Sequence, residues 1–158
     1  MILGIISDSH DNIPKLKKAI SLFNKKNVNL VLHAGDYIAP FSVVMMENNL
    51  KCEYLGVFGN NDGEKKGLTK NSQGKISNDF LELDKFSRKI FLTHDISKAR
   101  IDFSHYDIII SGHTHKDSIE KRGHTWFVNP GECGGWLSGK SSVAIFDLIG
   151  DTVKIHRL

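Results

Sequence analysis

Residues 2–10, ILGIISDSH, place an apolar run directly before an aspartate and a histidine. The run up to Ser7 is rich in isoleucine and leucine, which predicts a buried strand. Asn12 and Pro14 then supply the cap and first turn of a helix that we expect to reach about Lys26. The apolar residues of this segment recur at three- and four-residue spacing, which is typical of one buried helix face: Ile13, Leu16, Ile20 and Phe23.

The alternation of strand and helix continues outward from this segment. Residues 29–34 and 53–58 are predicted strands, and a short helix that begins with Pro40 lies between them, over 39–48. This βαβαβ order predicts parallel strands in a single sheet. The polar, glycine-bearing residues 64–74 predict a surface loop.

The second half of the chain has the pattern of hairpins. Three strand pairs are predicted, at 80–83 with 89–93, 118–121 with 125–128 and 142–147 with 152–156. A short helical piece at 97–105 precedes a further strand at 107–111. We therefore expect one domain over residues 1–158. Its fold class is α/β, a two-sheet sandwich with helices on the outer faces, a βαβαβ N-terminal half and a hairpin-rich C-terminal half.

Composition excludes several classes of protein. The 158 residues, with 40% hydrophobic and 25% charged residues, are typical of an ordinary globular domain. Cys52 and Cys133 stand far apart, which argues against a thiolate zinc site or a disulfide framework. The net charge of +3 comes with lysine clusters that predict a solvated surface; a nucleic-acid partner stays possible but is not indicated. No segment has the pattern of a signal peptide or a membrane span, so we expect a cytoplasmic protein.

Five apolar runs, the first of them at residues 3–6, stop at side chains that can hold a metal ion. Ligands in open α/β sheets bind beyond the carboxyl ends of the strands, so these side chains are expected to converge there. The seven candidate ligands are Asp8, His10, Asp36, Asn60, His94, His113 and His115.

Each of these endings has an ordinary structural explanation when it is taken alone. Asp8 fits a helix cap, the turns at Asp36 and Asn60 fit β-turns, and the H-x-H pair at His113 is only moderately specific. If the chain is still extended after the first strand, Asp8 and His10 fall on the same side and can bind one ion. Because five such coincidences in one sheet are improbable, the combination predicts a polynuclear metal site. His33 lies inside a strand and is expected to be a hydrogen-bonded core residue instead.

The ordered motifs Asp8-x-His10, Gly35-Asp36, Gly59-Asn60, His94 and Gly112-x-Thr114-His115 resemble those of the calcineurin-like metallophosphoesterases. The chain length, the Gly59–Asp62 segment and the Asn129-Pro130-Gly131 segment are similar to the small prokaryotic phosphodiesterase subgroup, whose fold the retromer scaffold subunit shares. The resemblance covers nearly the whole chain.

This resemblance implies a dinuclear centre and a reaction class. Asp8, His10 and His115 would hold one metal; the other would be held by Asn60, His94 and His113, with Asp36 bridging the two. The implied activity is hydrolysis of phosphate diesters by a hydroxide that bridges the metals. The mixed nitrogen and oxygen ligands suit two divalent ions of the type Mn²⁺, with Ni²⁺, Fe²⁺, Co²⁺ and Zn²⁺ as alternatives.

The sequence departs from the family pattern at two positions. Asn61 stands where many members carry a histidine that protonates the leaving group, so we expect a preference for activated diesters and modest turnover. Asn61 could orient a phosphate oxygen or only stabilise its turn. Asp95 follows His94 where glycine is common, and it either faces the metals or, as we favour, caps the helical piece near Ser97.

Two further interpretations stay open on the sequence alone. A protein-interaction scaffold on the same fold, with a weak or vestigial metal site, is the alternative to a phosphodiesterase. The apolar residues Phe41, Val43 and Met46 fit either an oligomer interface or core packing. The natural substrate depends on loops around the site, which the sequence does not define.

Overall fold

The computed structural model describes residues 1–158 and begins with the predicted βαβαβ unit. Its first six elements are β1 (Ile2–Ile6), α1 (Ile13–Lys25), β2 (Leu30–His33), α2 (Pro40–Asn49), β3 (Glu53–Val57) and α3 (Lys65–Asn71). The remaining strands are β4 (Ile76–Ser77), β5 (Phe80–Lys85), β6 (Arg88–Thr93), β7 (Ile108–Ile110), β8 (Ser118–Arg122), β9 (Thr125–Asn129), β10 (Ser142–Asp147) and β11 (Thr152–Arg157). None of the helices is long and apolar enough to cross a bilayer.

The strands form two sheets whose central strands are parallel. The first sheet has the order β11-β10-β1-β2-β3-β4, and the second has the order β5-β6-β7-β9-β8. β1, β2 and β3 run parallel to one another, as the βαβαβ pattern predicts, and so do β6, β7 and β9. The three predicted hairpins are confirmed as β5–β6, β8–β9 and β10–β11.

Two apolar clusters hold these layers together. One lies between the sheets and contains residues such as Leu3, Leu32, Leu92 and Ile110. The other packs the three α-helices against the first sheet through residues that include Phe23. The α-helices therefore cover one outer face of the sandwich, not both outer faces as the sequence pattern predicts. Val43 and Met46 belong to the helical cluster, so core packing explains them, while Phe41 is exposed.

Two local predictions are wrong. Residues 64–74, predicted as a loop, contain α3, which Glu64 caps by accepting a hydrogen bond from the Gly67 amide at 2.9 Å. Leu68 anchors this helix in the core, and a single apolar residue gives no periodic signal. The helical piece at 97–105 is two separate 3₁₀ turns, Ile96–Lys98 and Phe103–His105, because each begins with its own aspartate cap.

His33 is confirmed as a hydrogen-bonded core residue. Its Nδ1 accepts a hydrogen bond from the Gly35 amide at 3.2 Å, and its Nε2 lies 3.2 Å from the Ser9 hydroxyl. The ring stacks on Tyr37 with 3.8 Å between centroids. Complete burial lowers the pKa of His33 from its ordinary 6.5 to about 3, so the imidazole is neutral in the folded protein.

This neutral histidine makes stability depend on pH. The unfolded chain takes up a proton at His33 below about pH 6.5 while the folded chain does not, so this contribution to stability is complete above pH 6.5 and falls as the pH drops towards 3. We expect the slope of unfolding free energy against pH to fall by about 1.4 kcal/mol per pH unit in His33→Gln between pH 6 and pH 4. Urea unfolding of the metal-free protein measures this slope. His124→Gln, at an exposed position, is the control, and equal slopes in both variants would contradict the prediction.

Candidate metal centre

The loops that follow the parallel strands are bonded to one another at one edge of the sandwich. The Asp8 amide donates to the Gly35 carbonyl at 2.9 Å, and the His10 amide donates to the Asp36 carbonyl at 3.1 Å. The Gly112 amide donates to the His94 carbonyl at 3.0 Å, which ties the second sheet's loops together. The strand ends of both sheets therefore present their side chains to one shared space.

The first group of candidate ligands gathers around Asp8. Asp8, His10, Asp36 and His115 each offer one atom, and these four atoms lie within 4.8 Å of one another. The Nε2 atoms of His115 and His10 lie 3.5 Å and 3.8 Å from Asp8 Oδ1. The two imidazoles stack with 5.1 Å between their centroids. These contacts place one carboxylate oxygen and two ring nitrogens around a single point.

The second group gathers around Asn60. His94 Nε2 and His113 Nδ1 each lie 2.9 Å from Asn60 Oδ1. His94 Nδ1 lies 2.7 Å from the Ala34 carbonyl, which can only accept a hydrogen bond, so Nδ1 carries a proton and Nε2 is the nitrogen that faces the site. An amide oxygen and two ring nitrogens thus meet here as well.

Asp36 lies between the two groups. Its Oδ2 is 3.5 Å from His10 Nε2 on one side and 3.6 Å from His94 Nε2 on the other. The structure brings all seven predicted side chains together, and only Asp36 is shared by both groups. This position is the one that a bridging ligand requires.

Five of the seven candidate residues have a left-handed backbone: Asp8, His10, Asp36, His113 and His115 have φ between 42° and 67°. The chain is therefore not extended at Asp8 and His10, the condition under which the sequence places both on one side, although both side chains do reach the same site. Such conformations cost about 1–3 kcal/mol each in non-glycine residues and persist where surrounding contacts impose them. Here the hydrogen bonds between the loops impose them.

Two glycines allow the loops to approach this closely. Gly35 has φ of 93°, and a Cβ there would lie 2.7 Å from His94 Nδ1. A Cβ on Gly59 would overlap the Asp36 carboxylate and lie 2.5 Å from the Asp36 backbone nitrogen. Both positions therefore require glycine if Asp36 and His94 are to keep their places.

The charges of the site fit bound cations. Asp8 and Asp36 are 0% and 1% exposed, and all their ionic contacts are with histidines. Buried carboxylates are stable only with opposite charge or hydrogen-bond donors close by. Asp8 Oδ1 and His10 Nε2 are buried and have no hydrogen-bond partner. A divalent ion would satisfy both atoms, so the residues present fit a metal.

The pKa shifts in the first group favour the ionised form of Asp8, which is the form that binds a metal. Burial by itself raises the pKa of Asp8, but the neighbouring His10 imidazole and the Ser7 hydroxyl bring it below its ordinary value. The Asp8 carboxylate in turn raises the pKa of His10, against the opposing effect of burial. Metal binding therefore has to displace a proton that His10 holds more tightly than usual.

Three more carboxylates support the site, and one of them has two roles. Asp95 Oδ1 caps the first 3₁₀ turn at the Ser97 amide, 3.0 Å away, as favoured from the sequence. Its Oδ2 lies 3.8 Å from His113 Nε2. Asp62 fixes the loops themselves, because its carboxylate accepts from the amides of Asp36 and Gly59 at 3.0 Å and 2.8 Å.

The third carboxylate, Glu132, is a residue that the sequence analysis missed. It is fully buried, and Oε2 lies 3.4 Å from His115 Nδ1, which has no better partner. The backbone amides of residues 136–138 donate to it at 2.6–3.3 Å. Burial raises the pKa of Glu132, but these donors and His115 lower it to about 2. The sequence did contain a signal for this residue. Glu132 comes shortly after the end of β9, so it is a metal-binding type of side chain that follows a sixth strand.

Asn61 has a contact that neither sequence interpretation anticipated. Its side-chain amide donates to Asp36 Oδ2 at 2.8 Å, and its backbone amide donates to Asp36 Oδ1 at 2.9 Å. Asn61 therefore orients the shared carboxylate. Its role towards a phosphate stays a prediction.

Comparison with known proteins gives this arrangement a family context. The family model of the calcineurin-like phosphoesterase superfamily domain matches residues 1–151. A phosphodiesterase of Methanocaldococcus jannaschii is 37% identical, in an alignment that covers 93% of each chain. The phosphodiesterase YfcE of Escherichia coli is 25% identical over 83% of this chain and 78% of its own length.

Solved structures agree with these sequence matches. The structure of an archaeal phosphodiesterase superposes with a TM-score of 0.91 and 34% identity over the whole of both chains. Vps29 from Entamoeba histolytica matches all of this chain and 98% of its own with a TM-score of 0.71. Its identity of 22% shows a common fold alone.

The close approach at Gly59 gives the first prediction for the site. Gly59→Ala is expected to push Asp36 from its place and to weaken Mn²⁺ binding at least about tenfold, because a ligand displaced by about 1 Å no longer fits the ion. Isothermal titration calorimetry measures the affinity. Gly63→Ala is the matched control, since a Cβ at Gly63 has no atom within 4 Å. Equal Mn²⁺ affinity in the two variants would show that Gly59 does not position Asp36.

The contact between Glu132 and His115 gives the second prediction for the site. Glu132→Gln removes the carboxylate that orients His115, and supporting carboxylates of this kind change metal affinity by about 10–100-fold. We expect a loss of Mn²⁺ affinity in this range. Glu120→Gln makes the same charge change at an exposed residue and should leave affinity unchanged. A folded Glu132→Gln variant that binds Mn²⁺ like the unaltered protein would refute the assignment.

Proposed function

The chain belongs to the calcineurin-like phosphoesterase superfamily, and from this membership and the site geometry we propose that it hydrolyses phosphate diesters with two divalent metal ions. The single observation that carries the proposal is the position of Asp36. One buried carboxylate oxygen faces two separate groups of metal-ligand side chains, at 3.5 Å from His10 and 3.6 Å from His94.

We assign one ligand group to each metal. Asp8, His10 and His115 would hold the first ion, Asn60, His94 and His113 the second, and Asp36 would bridge them. Ions bound in this way supply positive charge for the phosphoryl oxygens and lower the pKa of a bound water. The donor set of imidazole nitrogens with carboxylate and amide oxygens suits Mn²⁺, and also Ni²⁺, Fe²⁺, Co²⁺ or Zn²⁺.

Water is the proposed nucleophile because the side chains beside the site are poorly placed for attack. Cys133 is fully buried, and burial raises the pKa of its thiol to about 12. The hydroxyl of Ser7 is buried and donates to Asp8 Oδ2. Neither group can form a covalent intermediate with a phosphate in the open part of the site.

The chain lacks an obvious proton donor for the leaving group. Asn61 cannot give up a proton, and its amide is already directed at Asp36. A general acid contributes about 10²–10⁴ in rate. We therefore propose that diesters with good leaving groups are cleaved faster than those with poor ones.

The alternative, an interaction scaffold with a weak metal site, has one observation in its favour. Trp136 and Leu137 are 65% and 80% exposed and lie beside His10, an apolar surface of the kind that partners bind. Seven convergent ligand side chains, with unpartnered buried atoms among them, favour the enzyme, because an interaction surface needs none of them.

Hydrolysis of model esters tests the proposal. With Mn²⁺ or Ni²⁺ bound, we expect the protein to cleave bis(p-nitrophenyl) phosphate in preference to the corresponding monoester. Asp36→Ala should abolish this activity, because both ligand groups lose their shared carboxylate. Asp84→Ala, at an exposed position of β5, is the control and should retain activity. If two ions bind and neither ester is cleaved, the scaffold becomes the better interpretation.

A further inference from the structure

A groove leads away from the second ligand group along the outer side of the sandwich. It begins at Asn60 and His94, encloses about 700 Å³ and runs between the start of α3 and the segment 95–101. The second sheet has no α-helix on its outer face, so this groove is open to solvent. Its position makes it the path that one ester arm of a bound diester would follow.

Cationic side chains in the groove outnumber carboxylates by one. Lys65, Lys98 and Arg100 line it, against the carboxylates of Asp79 and Asp95. Asp95 is occupied by the Ser97 amide and hydroxyl, with Lys98 3.4 Å away. Arg100 is exposed, and no acidic side chain forms an ion pair with it. Arg100 thus offers a cation for an anionic group beyond the one bound at the metal centre, with Lys98 beside it in the groove lining.

An exposed aromatic ring stands in the same groove. Phe80 is 53% exposed, and the ring stacks on the buried Phe91 with 5.5 Å between centroids and 23° between planes. Phe91 in turn contacts Tyr106 at 5.3 Å. Stacking on a buried ring restrains the Phe80 ring. A fixed aromatic ring beside cations is the surface on which flat, anionic ligands such as nucleotides stack.

The surface on the opposite side of the site is different in kind. The second cavity, of about 420 Å³, is lined by His10, Ile38, Asn61, Glu132, Trp136 and Leu137. It contains no lysine or arginine. A diester has two ester arms, and only one of these two surfaces is suited to an arm that bears further negative charge.

We propose that the groove at Phe80 and Arg100 binds a nucleotide-like arm of the diester, with a flat base stacked on Phe80 and an additional phosphate near Arg100 and Lys98. This inference rests on the proposed function and adds its substrate class. Hydrolysis itself is unchanged: water forms the new bond to phosphorus, the bond to the leaving alcohol breaks, and that alcohol takes up a proton. The groove decides which diesters are held in place for that step.

Kinetics with three diesters test the assignment of the groove on the Mn²⁺-loaded protein. The probes are a 5′-phosphorylated thymidine dinucleotide, the same dinucleotide without the 5′-phosphate, and bis(p-nitrophenyl) phosphate. Phe80→Ala should lower kcat/KM for both dinucleotides about tenfold or more, mainly through KM, because stacking on an aromatic ring is lost. Arg100→Gln should remove most of the advantage of the 5′-phosphorylated form, about fivefold.

The chain offers a close control for each variant. Phe41 is also 53% exposed but lies on α2, so Phe41→Ala removes an equally exposed ring away from the groove. Lys18→Gln removes one positive charge from an exposed position on α1. Both controls should behave like the unaltered protein. If Phe80→Ala and Phe41→Ala give the same kinetics, or the 5′-phosphate gives no advantage, the assignment is overturned.

Binding of thymidine 3′,5′-bisphosphate, which contains no diester bond, separates the two proposals. Calorimetry should show about tenfold weaker binding to Phe80→Ala than to Phe41→Ala. Such a difference with no cleavage of any diester would retain the groove and reject the phosphodiesterase. Cleavage of bis(p-nitrophenyl) phosphate with equal binding by both variants would retain the enzyme and reject the groove.

Discussion

The fold has to stabilise two carboxylates that are buried at the same edge of the sandwich. Neither carboxylate has a lysine or arginine beside it. Asp8 and Asp36 are almost completely buried, and their partners are imidazoles, backbone amides, the Ser7 hydroxyl and the Asn61 side-chain amide. Negative charge of this kind is costly to bury unless cations or donors compensate for it. The histidines around the two carboxylates would supply nitrogens to divalent ions, and such ions would complete the compensation.

Much of the surrounding structure serves to keep these side chains in place. Asp62 accepts from the amides of the loops after β2 and β3, and Glu132 gathers the amides of residues 136–138 beneath His115. Left-handed backbone at five ligand positions adds strain that these contacts offset. Gly35 and Gly59 provide the space that the approach of the loops requires. The same interactions therefore stabilise this edge of the sandwich and fix the geometry of the site.

The groove and the cavity on either side of the centre arise from the same architecture. All three α-helices pack on the first sheet, so the second sheet meets solvent through side chains such as Phe80 and through short 3₁₀ turns. The site at the strand ends therefore has the groove with Lys65, Lys98 and Arg100 on one side. On the other side it has the cavity with Ile38, Trp136 and Leu137, which contains no lysine or arginine. The difference between the two sides follows from loop residues rather than from the strands that carry the ligands.

The sequence by itself determined the order of most strands and helices, the parallel arrangement at the centre of the first sheet and the seven side chains that converge. Each of these follows from local signals, because apolar periodicity marks the strands and a polar residue directly after a strand is bound to lie at its carboxyl end. Only the tertiary structure decided the helix at 65–71 and the left-handed backbone at Asp8 and His10. It also decided the hydrogen bond from Asn61 to Asp36 and the contact of Glu132 with His115. These features depend on contacts between residues that are distant in the sequence, for example 25 positions for Asn61 and Asp36, and no local pattern encodes such contacts. The strand endings therefore showed which residues form the site, while packing between the loops decided how they are held.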